Sequence, residues 1–204
     1  MTLANMTLAD KIAIGSGIAA LAVALVIFFI RLGRVRAGAD GQKKRVSKFL
    51  HRFASSRQAK VMDDVKLISG PLSGWANHIL IGRFGALLVY DLSIQGEYYG
   101  KPEDERWTVT ASEGKRWAVE NPLFEADRCE GRVKTLLKDR AGIRIPVEKA
   151  VVIACPLRGA DSHIPSEKVI LYKNFRSYLE QSKFQQDNGI DPEQVYKILS
   201  EAKS

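Results

Sequence analysis

The apolar and polar positions divide the chain into three stretches. Residues 12–30 (IAIGSGIAALAVALVIFFI) run for 19 residues without a charge. As a helix they rise about 28 Å, close to the roughly 30 Å of a bilayer's hydrocarbon layer, so the pattern predicts a single transmembrane helix. A cleaved signal peptide is the competing reading, helped by Ala37-Gly38-Ala39 and opposed by the length of the run and the arginines directly after it. Next comes a basic stretch, 31–60; from Lys43 the sequence KKRVSKFLHRFASSRQAKVMDDVKLI, which runs on to Ile68, is expected to contain a basic amphipathic helix with Val46, Phe49, Leu50 and Phe53 on one face.

Beyond it the pattern alternates between strand and helix signals. Val65 to Ile68 reads as a short strand ending at Gly70-Pro71. Asn77 to Ile81 and Ala86 to Tyr90 are apolar runs flanking Gly82-Arg83-Phe84-Gly85, a hairpin pattern. Glu97 to Tyr99 and Trp107 to Thr110 read as short edge strands. Asn121-Pro122 opens a helix with Glu125 in its first turn and a stripe of Cys129, Val133, Leu136 and Leu137. Val147 to Cys155 is a nearly continuous apolar strand of the kind buried on both faces. A strand at Lys168 to Tyr172 and helices at Asn174 to Gln185 and Asp191 to Lys203 complete the expectation of an α/β domain with a parallel crossover. The predicted organisation is 1–11 a short N-terminus, 12–30 the span, 31–60 a basic linker or helix, and 61–204 the α/β domain.

Charge changes this picture in one respect. The 204 residues carry a net +8. Residues 31–60 hold ten Lys and Arg against Asp40 alone, a balance of +9 that leaves −1 for the rest, so the globular part is not itself basic. By the positive-inside bias, residues 31–204 are expected on the cytoplasmic side of a bacterial inner membrane. Arg31, Arg34, Arg36, Lys43, Lys44 and Arg45 are candidates for contact with anionic lipid or nucleic acid. Gly15 and Ala19, with Ser16, Ala20 and Ala24, form a small-residue stripe on which two spans could pack, so the expected partners include the bilayer and a protein partner or second copy. Cys129 and Cys155 are expected as buried free thiols. No phosphate loop, zinc spacing, dinucleotide fingerprint or nucleophile elbow occurs.

One ordered set of landmarks is more specific. Trp75-Ala-Asn-His-Ile-Leu-Ile-Gly82, Gly85-Ala-Leu-Leu-Val-Tyr-Asp91, Gly96-Glu-Tyr-Tyr-Gly100, Trp107, Asn121-Pro122 and the VVIAC strand follow one another. In that order they resemble the nuclease-related domain (NERD) family. The resemblance implies a restriction-endonuclease-like mixed sheet flanked by helices, in which an Asp and a Glu bind a divalent metal and a Lys steadies the scissile phosphate. Where the family has Gln-Ile-Asp-His, this chain has Trp75-Ala76-Asn77-His78; where it has Glu-x-Lys, this chain has Asp91-Leu92-Ser93. The family's first-helix Glu finds no counterpart in residues 57–60. The expectation is a binding or assembly module without nuclease activity and without a cofactor. Mg²⁺ or Mn²⁺ belongs only to the rival reading of a rearranged nuclease, with His78 and Asp91 as metal ligands and Glu97 or Asp63 and Asp64 completing the shell. A second rival is a non-catalytic nucleic-acid binder using the basic stretch. Trp107 and Trp117, with Tyr98 and Tyr99, read as packing residues rather than as a platform for bases.

Overall fold

The structure is a computed structural model that describes residues 21–28, 39–69, 72–111, 114–155 and 160–204. The chain falls into two compact units, 1–38 and 39–204. Of the first unit only 21–28 is described, a helical segment with Leu21, Val23, Val26 and Phe28 exposed. Most of the predicted span lies outside the described residues, as do Arg31, Arg34, Arg36 and the turn at Gly70-Pro71. Among the described residues no helix is long and apolar enough to cross a membrane.

The second unit opens with helix α1 (Ala39–Ser55). Val46, Leu50, Phe53 and Ala54 are buried on one side of it, as the amphipathic pattern requires. Residues 39–55 of the basic stretch are therefore a packed helix, and the second compact unit begins at residue 39. Strands β1 (Lys60–Ser69), β2 (Leu72–Gly82) and β3 (Gly85–Leu92) follow as an antiparallel meander. The β2–β3 turn closes at Gly82 opposite Gly85. Gly85 has φ +129°, and a Cβ there would lie 2.2 Å from the Pro146 carbonyl oxygen, so only glycine fits.

Between β3 and the next helix the chain builds a small sheet from β4 (Glu97–Tyr99), β5 (Arg106–Thr110) and β6 (Arg116–Glu120), completed by β8 (Asp161–Ser162). Its order is β6-β5-β4-β8, so β4 and β5 are interior strands and not the edges their shortness suggested. Trp107 and Tyr98 are fully buried, which makes them core residues, whereas Tyr99 and Trp117 are exposed. The Trp107 indole N–H donates to the Lys101 carbonyl at 2.9 Å, so its polar edge is satisfied inside the core.

Helix α2 (Pro122–Ala141) then crosses to β7 (Val147–Ile153), which pairs parallel with β3 and with β9 (Val169–Leu171). Asn121 caps α2 by accepting from the Leu123 N–H at 2.9 Å, and Gly142 ends it in the left-handed conformation. The main sheet has the order β1-β2-β3-β7-β9. One face packs on α2 and the C-terminal helix α4 (Pro192–Glu201), the other on α1 and the short α3 (Phe175–Leu179). The helix expected at 174–185 is broken. Gln181 is extended, which turns the chain so that Phe184 packs edge-on to Phe84 with ring centroids 5.2 Å apart. Cys129 and Cys155 are buried free thiols, as expected.

Candidate functional site: a buried carboxylate–imidazole cluster

The cluster sits where β1 and β2 break their alternation at the same level. On β1, Met62 and then Val65 and Leu67 belong to the α2-side core, while Val61 belongs to the α1 side. A regular strand would send 61, 63, 65 and 67 to one face. Asp64, in the left-handed region at φ +47°, resets the phase. On β2 the reset lies opposite: Ala76, Ile79 and Ile81 face α2, while Leu80 faces α1. The register is the same on either side of the break, Asp63 opposite His78 and Val65 opposite Ala76, with Asp64 and Asn77 left unpaired between them, so the two irregularities match.

Asp63 and His78 keep to the α1 side with Val61 and Leu80, while Val65 and Ala76 pass to the other side, so Asp63 and His78 meet under α1. His78 Nδ1 lies 2.6 Å from Asp63 Oδ1. The other carboxylate oxygen of Asp63 accepts from the Ser47 hydroxyl at 3.0 Å and lies 2.8 Å from His51 Nε2, both one turn apart on α1. On its far side, His78 Nε2 stands 3.5 Å from Asp91 Oδ1 on β3, an ion-pair contact rather than a well-formed hydrogen bond. The side chains of His78 and Asp91 are only 4% and 1% exposed. Neither oxygen of Asp91 has a hydrogen-bond partner among the described residues.

Burial by itself disfavours a charged imidazole, but the carboxylates of Asp63 and Asp91 outweigh it and raise the His78 pKa to about 9. Burial likewise opposes ionisation of Asp63, yet hydrogen bonds from His78, His51 and Ser47 hold its carboxyl well below the usual range. At neutral pH Asp63 and His78 thus form a carboxylate–imidazolium pair, and the imidazolium is the cation that stands against the enclosed Asp91 side chain.

Asn77 is engaged differently. The β2–β3 ladder ends at His78 opposite Val89, and one residue beyond it the Asn77 side-chain carbonyl accepts from the Asp91 N–H at 3.2 Å. It replaces a missing backbone partner, which explains a polar side chain only 4% exposed. Ser93 follows directly after β3 and is half-buried. Next to these positions, at the start of α2, opens a cavity of about 330 Å³ whose lining includes Trp75, Asn77, Tyr90, Asp91, Glu125 and Arg128. Arg128 is paired with Glu125 at 2.5 Å.

Of the sequence candidates, the structure brings His78, Asp91 and Asp63 together. It leaves Asp64 exposed, and it puts Glu97 in the small sheet beside Tyr99 and His163. Lys43, Lys44 and Arg45 are exposed on α1, with the Arg45 guanidinium 4.9 Å over the Tyr172 ring. Ser47 and His51 were missed by sequence reading. Their spacing of four on a helix that buries Leu50 was the available signal. The first helix is 39–55 and carries no Glu; the stretch 57–60 compared with it lies in the turn and at the start of β1.

The donor set does not fit a divalent metal. Among the described residues no three His, Cys, Asp or Glu side chains are arranged to hold an ion. The one carboxylate with unused oxygens faces an imidazolium, and the carbonyl of Asn77 is already committed.

This architecture, a mixed sheet between two helical layers with its polar cluster beside the irregularity shared by β1 and β2, defines the class: an α/β domain with an enclosed ionic cluster. The model of the nuclease-related domain matches residues 37–154, more than half of the chain, and the chain belongs to that family. No curated protein and no solved structure matches it significantly.

Proposed function

We propose that the chain is a membrane-anchored module of the nuclease-related family that binds or assembles and does not cleave nucleic acid. The anchor rests on the uncharged run at 12–30, and the cytoplasmic placement of the domain on the excess of +9 that follows it. The element order α1, three antiparallel strands, α2 and the parallel β7 supports a restriction-endonuclease-like core.

One observation carries the loss of chemistry: Asp91 lies against the His78 imidazolium instead of a second acid. Relative to the family motif, the metal-binding Asp is Asn77, the Glu is shortened to Asp91 and the Lys is Ser93. A hard divalent cation needs clustered anionic oxygens, and a splitting phosphodiester needs a nearby positive charge. Losing one charge-stabilising group costs about 10²–10³ in rate, and here several are replaced. The test is direct. The purified full chain, with Mg²⁺ or Mn²⁺, is expected to leave DNA and RNA intact; robust cleavage abolished by Asp91→Ala would overturn the proposal.

The exposed basic face of α1 (Lys43, Lys44, Arg45, Lys48 and Arg52) follows the predicted span and suits an anionic membrane surface. Charge reversal at Lys44 and Lys48 should weaken binding to anionic vesicles. If it instead removes only nucleic-acid binding, the rival nucleic-acid reading gains.

A further inference from the structure

Strand β6 is the outer strand of the small sheet, and its free edge has an unusual symmetry. The ladder with β5 runs from Arg106 opposite Glu120 to Thr110 opposite Arg116. It is bracketed by the Asn121 N–H to Glu105 carbonyl bond at 3.0 Å and the Ala111 N–H to Lys115 carbonyl bond at 2.9 Å. In an antiparallel ladder the hydrogen-bonded pairs alternate, so the residues of β6 bonded to β5 are Trp117 and Val119. Arg116, Ala118 and Glu120 therefore direct their N–H and C=O groups away from the sheet. Among the described residues no backbone group answers them.

Edge strands are ordinarily protected by proline, by a bulge or by charges of one sign that repel an identical edge. The sequence Arg116-Trp117-Ala118-Val119-Glu120 has none of these. Its register with β5 is unbroken, and its two charges are opposite in sign and equally distant from Ala118. Turned end for end, the strand meets its own complement. With Ala118 opposite Ala118 of a second copy, Arg116 falls opposite Glu120 at both ends, and the outward-facing backbone groups of all three residues form hydrogen-bonded pairs. Trp117, 42% exposed, falls opposite Val119, an aromatic against a β-branched side chain in the closer, non-hydrogen-bonded pair.

We propose that β6 is a self-association edge, through which two copies of this chain join their small sheets antiparallel about a two-fold axis at Ala118. This deepens the assembly reading above by naming the partner, and it is tested by association rather than by cleavage, so the two can fail separately. A five-residue strand pair is small beside the roughly 1,000 Å² expected of a stable interface, so the contact is weak and transient.

The experiment uses the full chain in detergent micelles, with Ala118→Cys and a short thiol cross-linker; the native cysteines are buried. Position 118 of two copies stands about 5.5 Å apart in the proposed register. Cross-linked dimer is expected. In its place Thr108→Cys, on the neighbouring strand, should give none, because two copies of that position lie roughly 15 Å apart. Adding Arg116→Glu to Ala118→Cys makes both end contacts like-charged and should reduce the yield about tenfold. Adding Glu120→Arg to that variant restores complementarity and should restore the yield. The restoration also shows that the loss was not misfolding. Absence of the Ala118→Cys dimer, a yield unaffected by Arg116→Glu, or equal cross-linking through Thr108→Cys would each overturn the proposal.

Discussion

Replacing His78 by Gln removes the cation between Asp63 and Asp91 while keeping a side chain that can donate to Asp63. In the folded chain the His78 pKa is about 9, against 6.5 for an ordinary imidazole. That difference corresponds to about 3 kcal/mol of folding stability. The sign follows from the direction. The folded state holds its proton more tightly, so the contribution is complete below pH 6.5, falls as pH rises through the interval to 9, and is gone above it. The depressed Asp63 acts at the other end: its contribution is present above the ordinary carboxylate pKa and is lost as pH falls below it. Both shifts describe the same ion pair and are not added. Urea unfolding of the full chain, followed by the fluorescence of buried Trp107, should therefore give about 3 kcal/mol less stability at pH 9.5 than at pH 6. In His78→Gln the difference should largely vanish, and the variant should be less stable at pH 6 because Asp91 is left buried without a counter-charge. Adding Asp91→Asn to His78→Gln should recover part of that loss. A wild-type pH dependence that persists undiminished in His78→Gln would refute the electrostatic account of the cluster.

Two further outcomes follow from buried groups with identified partners. Asn121→Ala removes the α2 cap and leaves the carbonyls of Pro102 and Asp104 without the side-chain amide that bonds each at 2.8 Å, so it should cost about 2–3 kcal/mol, seen as a lowered thermal midpoint. Burial pushes the Cys129 thiol up to about 12, so in a Cys155→Ser background alkylation at pH 8 should proceed only as fast as the chain unfolds. Rapid alkylation of native protein would show the α2 core to be open.

The elements legible in the sequence are those specified by residues close together in the chain. The β2–β3 hairpin is set by Gly82 and Gly85, and the register follows from the apolar runs on either side. Helix α2 is bounded by Asn121-Pro122 and Gly142, each of which acts on backbone groups within one turn. The apolar run of β7 announces a strand buried on both faces, and it is an interior strand of the main sheet. Strand β6 was missed because its side chains are largely exposed, so no buried face imposes a pattern on it. The 174–185 stretch carries helical spacing through Phe175, Tyr178 and Leu179, but the helix stops where Phe184 must reach Phe84 across the sheet surface.

The site divides in the same way. Sequence alone set the residue types: Asn77, Asp91 and Ser93 at the motif positions, His78 beside them, a strongly basic first helix and a nearly neutral remainder. Which of these groups meet was decided only by the tertiary structure. A period of two assigns Asp63 and Val65 to one face, and only the paired irregularity at Asp64 and Asn77 separates them. That irregularity is held by contacts between residues distant in the chain, with His51 and Ser47 reaching Asp63 from the helix and Asn77 replacing a ladder bond to Asp91. Local pattern fixes what a segment buries; the charge of a buried group depends on whatever the rest of the chain places within a few ångströms of it.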